Sequence, residues 1–171
     1  ELHPAGVISA LAPRARGNIY HRCLEEFASR GAYDLPSLAG EFPDFLGLSR
    51  EDRERFLADA AARLTALTTA GELAWIFQRH PGAYAELPFL FRRGNEIFSG
   101  KIDRVVVKEG RGLVVDYKST VVGNDDDLRA WLDHYRPQVR VYCEAVQEMF
   151  GVKIIEGYLL FLESGRLARI V

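Results

Sequence analysis

Two aspartates and a lysine stand among the apolar residues of the stretch GKIDRVVVKEGRGLVVDYKST, residues 100–120. The stretch is rich in β-branched residues on both sides of an EG dipeptide at 109–110, which predicts two strands joined by a tight turn. Counting back from that turn places Asp103 directly opposite Asp116. Lys118 lies two residues beyond Asp116 and is therefore predicted to point to the same face of the sheet.

The two opposed carboxylates indicate that this site needs a bound cation, which the sequence itself does not supply. Directly opposed residues have Cβ atoms roughly 4.5–5.5 Å apart, where like charges are destabilising. A divalent cation between Asp103 and Asp116 would relieve this repulsion and lower the pKa of bound water, which opens the site to metal-assisted hydrolysis. Lys118 would then lie where it can orient an attacking water or stabilise developing negative charge.

Two alternatives to this hairpin site remain open at the level of the sequence. A bulge at Gly112 would shift the register by one residue. Without a metal, the two acids could instead be held by basic residues of the same stretch, namely Lys101, Lys118 or Arg104.

The composition is that of one ordinary domain. The chain has 171 residues, 48% of them hydrophobic, which is enough for a core. Its net charge of −2 argues by itself for no partner, since a freestanding nucleic-acid binder is usually basic. Two cysteines are too few for a disulfide scaffold, and we expect reduced thiols in a cytosolic protein.

The sequence shows no sign of a membrane or export segment. The longest apolar run, about GYLLFL, is far too short to span a bilayer. Residues 1–17 lack an initiator Met and the basic n-region of a signal peptide, so we expect a piece of a longer protein.

The elements that must position the acids follow from hydrophobic periodicity and turn residues. Helices are predicted at 14–30, from Ser49 onward, and at 71–80 before Pro81, with a loop at 31–48. Three consecutive strands follow from residue 85 to residue 118. GNDDD caps a further helical stretch, Pro137 is predicted in the first turn of a long helix, and a last strand at 153–164 has RLARIV as a short partner. This order predicts an α/β domain with a mixed central sheet and helices on both faces.

Five sequence elements in a fixed order resemble a known family. They are a helical His21 after Gly17, Glu86 at the opening of a strand, GKID, VVDYKS, and QVRVY on a helix. Together they closely resemble the nuclease domain of the RecB/AddA branch of the PD-(D/E)XK superfamily, over residues 16–162. A single DxK is a weak signal, but the five elements in this order are specific.

The resemblance assigns roles to individual residues. It implies that the metal ligands are His21, Asp103, Asp116 and the backbone carbonyl of Tyr117. It implies that the catalytic groups are Lys118, Asp116, Asp103 and Glu86, and that Gln138 and Tyr142 lie beside the DNA. Arg136 and Arg140 form a basic pair on the same helix and could contact phosphates, as could Arg14, Arg16 and Arg22. Mg²⁺ or Mn²⁺ is the expected cofactor, and the imidazole ligand suits Mn²⁺ better.

The resemblance also implies a fold, a function and partners. The fold would be a restriction-endonuclease-like core, a mixed sheet made of a three-strand meander, a helix and a strand, flanked by helices. Residues 1–171 would form a single nuclease domain of a larger helicase-nuclease, a metal-dependent deoxyribonuclease acting in DNA end processing and recombinational repair. Its partners would be single-stranded DNA, delivered by the helicase domains of the parent protein, and a second protein subunit could be a further partner. No membrane partner is expected, and the protein would act in the bacterial cytoplasm, at the nucleoid. The chain lacks four cysteines, so the iron–sulfur branch of the family is excluded.

Simpler interpretations of the same residues stand beside these. A lone helical histidine such as His21 is more often structural than a ligand, and Glu86 could be a solvent-facing acid at a sheet edge. Tyr142 is already explained by packing, and the arginines by a solvated face. The whole domain could be an inactive scaffold or DNA-binding module, or a stand-alone restriction-type endonuclease.

Overall fold

The computed structural model describes residues 11–171, so most of the segment considered for a signal peptide lies outside it. The helices are α1 Pro13–Arg30, α2 Leu35–Ala39, α3 Pro43–Leu46, α4 Arg50–Thr69, a 3₁₀ turn Gly71–Leu73, α5 Ala74–Phe77 and α6 Asp125–Phe150. The strands are β1 Ala83–Arg93, β2 Glu96–Lys108, β3 Arg111–Lys118, β4 Ile154–Phe161 and β5 Arg166–Arg169.

Helix α1 begins and ends, and helix α4 begins, where the sequence predicts. Helix α1 has Pro13 at its first position and ends at Gly31, whose φ of 78° is left-handed and whose N–H donates to the Phe27 carbonyl at 2.7 Å. Helix α4 is capped by Ser49, whose hydroxyl accepts from the Asp52 N–H at 3.1 Å.

The segment predicted as a loop at 31–48 contains two short helices instead. Pro36 and Pro43 stand in the first turns of α2 and α3, where a missing N–H costs nothing. Each short helix buries apolar side chains, Leu35 and Leu38 from α2 and Phe45 from α3. The short helix predicted up to Pro81 ends earlier, at Phe77.

The prediction that Pro137 opens a long helix is wrong. Helix α6 is continuous from Asp125, and Pro137 lies near its middle. Asn124 caps it by accepting from the N–H groups of Asp126 and Asp127, and the acidic first turn complements the helix dipole. Pro137 and Asp133, four residues earlier, are both exposed, so water can bind the carbonyl that the proline leaves unpaired.

The sheet has the order β1-β2-β3-β4-β5. Strands β1, β2 and β3 form an antiparallel meander, β3 pairs with β4 in parallel across the α6 connection, and β5 pairs antiparallel with β4. The predicted mixed α/β sheet of a three-strand meander, a helix and a strand is therefore confirmed, with RLARIV supplying the short fifth strand.

Each face of the sheet is covered by its own hydrophobic core. Helices α1, α4 and α5 pack on one face around Ile19, Leu64 and Val115, and α6 packs on the other around Val139 and Phe161. Among the described residues, no helix is both long enough and apolar enough to cross a membrane.

Candidate metal centre and active site

The backbone pairing of the meander is interrupted where the acids lie. The β2–β3 ladder has the predicted register without a bulge at Gly112, but its last pair is Arg104–Val115. The β1–β2 ladder skips one position between Ala85–Arg104 and Leu87–Ile102. Continuing both counts brings Glu86, Asp103 and Asp116 into one row across three neighbouring strands.

Asp103 stands at the centre of this row and takes the place of a ladder hydrogen bond. Its Oδ2 accepts from the Tyr117 N–H at 2.5 Å, so the side chain serves a backbone donor that β2 leaves free. Its Oδ1 lies 3.4 Å from Nδ1 of His21, and the His21 and Asp103 side chains are 30% and 13% exposed. Asp103 therefore joins the end of β3 to helix α1.

Glu86 has a backbone that few non-glycine residues adopt. Its φ is 49°, in the left-handed region, at the position where β1 loses its pairing with β2. The side chain is half-buried, and Lys101 lies 3.8 Å from its Oε2. The kink explains why a count of alternating residues could not place this side chain.

His21, Glu86 and Asp103 form a cluster able to hold a metal ion. One ligand atom from each lies within 4.8 Å of the others, and all three residues are partly buried. One imidazole nitrogen and two carboxylates form a donor set that suits Mn²⁺ and remains workable for Mg²⁺. These three residues therefore fit a divalent cation, with His21 and Asp103 from the predicted ligand set and Glu86 in addition, while Asp116 and the Tyr117 carbonyl stay predicted ligands.

Helix α1 reaches the cluster because Gly17 lets it approach the end of β3. A Cβ added at Gly17 would lie 2.6 Å from Cβ of Ser119. His21 follows one helical turn after Gly17 and so projects from the same side of α1. The glycine preceding the histidine thus has a structural reason.

Asp116 lies beside the cluster, and its charge is incompletely compensated. It is 4% exposed, and Nζ of Lys118 lies 2.6 Å from its Oδ2. The two atoms form a close ion pair, and Oδ2 has no other polar partner among residues 11–171. Burial and the nearby Asp103 raise the pKa of Asp116 to about 6 although Lys118 opposes the shift. A buried oxygen in this position is suited to an additional cation.

His21 and Glu86 also have pKa values shifted towards their protonated forms. Burial lowers the pKa of His21, but the hydrogen bond with Asp103 and the surrounding carboxylates outweigh it, so the net shift is upward. Burial, followed by repulsion from Asp103, raises the pKa of Glu86. Without a metal, His21, Glu86 and Asp116 therefore hold protons more tightly than the free side chains do.

Lys118 is fixed by two groups on helix α6 in addition to Asp116. Its Nζ donates to Oε1 of Gln138 at 3.2 Å and lies 4.0 Å from the ring centre of Tyr135. Gln138 in turn donates to the Tyr142 hydroxyl at 2.7 Å. Sequence reasoning missed Tyr135, although its position three residues before Gln138 on a helix is a signal that both share one face.

Gln138 and Tyr142 also line a groove between α6 and the β1–β2 hairpin. The groove has a volume of about 510 Å³, and Phe89, Phe98 and Ser99 are among its other lining residues. Gln138 connects it to the acids, because the same side chain accepts a hydrogen bond from Lys118. The predicted proximity of Gln138 and Tyr142 to DNA stays a prediction.

The ion pairs of the structure can be compared with the alternative that basic residues of the same stretch, rather than a metal, hold the two aspartates. Of the three bases considered, Lys118 contacts Asp116 and Lys101 contacts Glu86. Arg104 contacts neither aspartate, because its guanidinium donates to the carbonyls of Ile76 and Gln78.

Most of the arginines considered for phosphate contacts have protein partners. Arg136 donates to the Ile170 carbonyl at 2.6 Å and to Asp133 at 3.2 Å. Arg16 pairs with Glu163 at 2.9 Å, and Arg22 pairs with Glu25, Glu26 and Glu41. Arg140 and Arg14 are exposed, and neither makes an ion pair within the part of the chain that the structure describes. Arg140 is thus the better placed member of the predicted Arg136–Arg140 pair.

Comparison with protein families and curated proteins gives consistent matches. The family model of the PD-(D/E)XK nuclease superfamily matches residues 2–167. An ATP-dependent helicase/nuclease protein of Desulforudis audaxviator is 33% identical over 173 residues, covering 91% of this chain and 14% of the relative. The helicase/nuclease protein of the same name from Carboxydothermus hydrogenoformans is 26% identical over 170 residues, with coverages of 90% and 14%. That of Streptococcus equi subsp. zooepidemicus is 26% identical over 136 residues, with coverages of 75% and 11%. The chain thus spans only 11% to 14% of these relatives.

A solved structure shares the fold. A protein of Eubacterium rectale described as a candidate exonuclease aligns with a TM-score of 0.60 and 12% sequence identity, covering 100% of this chain and 61% of that one. At this identity the likeness concerns the fold, which agrees with the architecture described above.

Proposed function

This chain belongs to the PD-(D/E)XK nuclease superfamily, as its sequence elements predicted, and on that premise we propose that it is a divalent-metal-dependent deoxyribonuclease domain. The observation that carries the proposal is the convergence of His21, Glu86 and Asp103 beside the buried Asp116–Lys118 pair. The family and the helicase/nuclease relatives support a nuclease. The dependence on metal rests on the cluster.

His21, Asp103 and Asp116 are the side chains proposed to hold the cation, with Glu86 and the Tyr117 carbonyl completing its surroundings. Mg²⁺ or Mn²⁺ is the proposed ion. A divalent cation supplies Lewis acidity towards a phosphoryl oxygen and lowers the pKa of water. The tight bond from Tyr117 N–H to Asp103 and the close approach of α1 at Gly17 keep the donors in place for it.

Lys118 is the proposed catalytic group that acts on the water or the phosphate. Asp116, Gln138 and Tyr135 contact its ammonium from three directions, which fixes its position before substrate arrives. An ammonium carries three donors, of which Gln138 and Asp116 engage two, so the third can orient the attacking water or stabilise negative charge on the phosphate. It performs the second role without losing its proton.

The proposed substrate is single-stranded DNA delivered by helicase domains, in DNA end processing and repair. This part of the proposal rests on the printed names of the relatives, of which this chain matches only a small part. The net charge of −2 and the internal pairing of Arg136, Arg16 and Arg22 support weak DNA binding by this chain alone. Residues 1–171 are proposed to be one nuclease domain of such a protein.

Cleavage of end-labelled single-stranded DNA by wild type and Lys118→Ala tests the proposal. We expect cleavage by wild type with Mn²⁺ or Mg²⁺ and none in chelator. Lys118→Ala should lose cleavage, while calorimetric Mn²⁺ titration shows affinity close to wild type because Lys118 is not a ligand. Lys153→Ala, at an exposed lysine, is the matched control and should behave as wild type.

The results separate the proposal from its alternatives. Mn²⁺ binding without any cleavage would support an inactive scaffold. A defined ladder of products from random-sequence DNA, rather than a smear, would support a restriction-type endonuclease. Cleavage that persists in chelator would overturn the metal-dependent assignment.

A further inference from the structure

Arg104 is a buried guanidinium that pairs with no carboxylate. The residue is 1% exposed. Its Nε donates to the Ile76 carbonyl at 2.5 Å, and its Nη2 donates to the Gln78 carbonyl at 2.7 Å. Its Nη1 makes no hydrogen bond to any residue in the described range 11–171.

A buried cation without a counter-charge is costly, so its surroundings call for an explanation. Burial lowers the pKa of Arg104, and no carboxylate of the described residues forms an ion pair with it. The two carbonyls at the end of α5 satisfy the donors Nε and Nη2, as in a helix capped by an arginine. Nη1 donates to no described residue and is not among the described buried polar atoms without a partner, so it is a donor accessible to solvent.

Arg104 lines a cavity whose other polar side chains can also donate hydrogen bonds. The cavity has a volume of about 480 Å³ and is lined by Ser29, Arg79 and His80 besides Arg104. Nδ1 of His80 accepts from the Gly82 N–H at 3.1 Å, which leaves Nε2 as the donor of a neutral ring. Arg79 is exposed, and its only hydrogen bond within the described residues is a long one of 3.4 Å to the Arg30 carbonyl. No carboxylate of the described residues lines the cavity, so its chemistry is that of an anion site.

The cavity lies next to the proposed active site. Ala85 and Arg104 form the ladder pair directly before the gap that contains Glu86 and Asp103. Along α1, Ser29 lies eight residues after His21, or roughly 12 Å at the helical rise of 1.5 Å per residue. This separation is a few nucleotides along a nucleic-acid strand.

We propose that the cavity lined by Arg104, Arg79, His80 and Ser29 binds a phosphate group of the DNA strand whose cleavage is proposed above, a few nucleotides from the cleaved bond. The inference rests on the proposed function for its ligand, but not for the anion-binding chemistry of the cavity. Arginine suits this task because its planar fork of donors matches phosphate oxygens. The site would supply a contact to the DNA backbone, which Arg136, Arg16 and Arg22 do not offer because they are paired within the protein.

The first test uses inorganic phosphate and metal-free protein, so it does not depend on cleavage. Phosphate is titrated in chelator while NMR follows the Arg104 Nε–Hε and His80 ring signals. We expect saturable shifts in wild type and about fivefold weaker binding in Arg79→Gln, as for the loss of one exposed charged contact. Arg50→Gln, at an exposed arginine of α4, is the matched control and should bind as wild type. Wild-type signals that do not shift would overturn the site.

The second test identifies the source of the phosphate. Binding of single-stranded DNA is measured in chelator at several salt concentrations for wild type, Arg79→Gln and Arg50→Gln. A plot of log K against log salt has a negative slope. We expect only Arg79→Gln to make this slope less steep, by about 0.7, as for the loss of one phosphate contact on a single strand. An unchanged slope with intact phosphate binding would overturn the DNA assignment in favour of a free phosphate. Loss of cleavage with both binding results intact would count against the proposed nuclease activity only.

Discussion

The ammonium of Lys118 lies over the ring of Tyr135, 4.0 Å from its centre. Tyr135 itself stacks on Trp131, with ring centroids 5.7 Å apart and planes inclined by 16°. The stack holds the aromatic face against the ammonium, so the cation–π contact is preorganised.

We expect Tyr135→Leu to lower the single-turnover cleavage rate about fivefold to tenfold, in line with a cation–π contact of about 1 kcal/mol. Tyr135→Phe keeps the ring and should retain most of the rate. Because Tyr135 is a positioning residue, Mn²⁺ affinity and KM should stay near wild type in both variants. Equal rates for the Leu and Phe variants would show that the ring face does not matter.

The buried Asp116 yields a stability prediction that distinguishes a metal site from a structural ion pair. Asp116→Asn should leave the metal-free protein at pH 8 as stable as wild type or more stable, because it removes repulsion with Asp103. Lys118 retains Gln138 and Tyr135 as partners in this variant. Added Mn²⁺ should raise the melting temperature of wild type far more than that of the variant.

Thermal melts in chelator and in Mn²⁺ measure this effect, with Asp44→Asn at an exposed position as the matched control. An Asp116→Asn protein that loses several kcal/mol in chelator would mean that the pair with Lys118 is structural.

The raised pKa values of the site predict how stability depends on pH without metal. The pKa of Asp116 is raised from 3.8 to about 6, so the folded state binds this proton more tightly than the unfolded state. Its contribution to stability is fully present below pH 3.8 and is lost as the pH rises through 6. The pKa values of Glu86 and His21 are shifted in the same direction, and the rise of the His21 pKa from 6.5 extends the loss above that pH.

Denaturant unfolding in chelator between about pH 4.5 and 8 measures the slope of this contribution. We expect a smaller decline with pH in Asp116→Asn than in wild type. Mn²⁺ should bind more tightly as the pH rises, because it competes with the same protons. If the free energy of unfolding of wild type, relative to that of Asp116→Asn, increased with pH over this range, the raised pKa of Asp116 would be contradicted.

The contact between Gly17 and Ser119 predicts that Gly17→Ala destabilises the protein, the opposite of the usual effect of Gly to Ala in a helix. Gly to Ala inside a helix normally stabilises by about 1 kcal/mol. Here the new Cβ would lie 2.6 Å from Cβ of Ser119, so α1 must move and carry His21 away from Asp103. We expect Gly17→Ala to lower both the melting temperature and Mn²⁺ affinity, the latter about tenfold or more.

A double variant, Gly17→Ala with Ser119→Gly, removes the Cβ on the other side and should restore Mn²⁺ affinity towards that of Ser119→Gly alone. Calorimetric titration of the three variants gives the comparison. Additive effects of the two substitutions would show that the helix approach does not control the site.

The parts of the site that were predictable are those fixed by local sequence. β-Branched residues and an EG turn specify the hairpin register, so the relation of Asp103 to Asp116 follows from counting. The row that adds Glu86 did not follow, because its left-handed backbone breaks the alternation on which such counting depends. The contact of Tyr135 with Lys118 did not follow either, since it joins elements that meet only through packing.

The same distinction holds for the fold. The capped helices α1 and α4 and the order of the strands follow from local signals. The two short helices at 35–39 and 43–46 form where proline-rich sequence predicted a loop, because their apolar side chains find a core to cover. The continuity of α6 through Pro137 is likewise set by the packing of the whole helix on the sheet rather than by the residue itself.

The interrupted ladders at Asp103 have a consequence for how the domain folds and loosens. The hairpin that carries Asp103, Asp116 and Lys118 can form from contacts close in sequence, whereas His21 arrives only when a distant helix docks. Partial opening of α1 would therefore remove His21 from the proposed metal site while the sheet stayed intact. A nascent or partly unfolded chain would hold Asp103 and Asp116 together without His21, so the proposed hydrolytic activity would belong to the fully docked state alone.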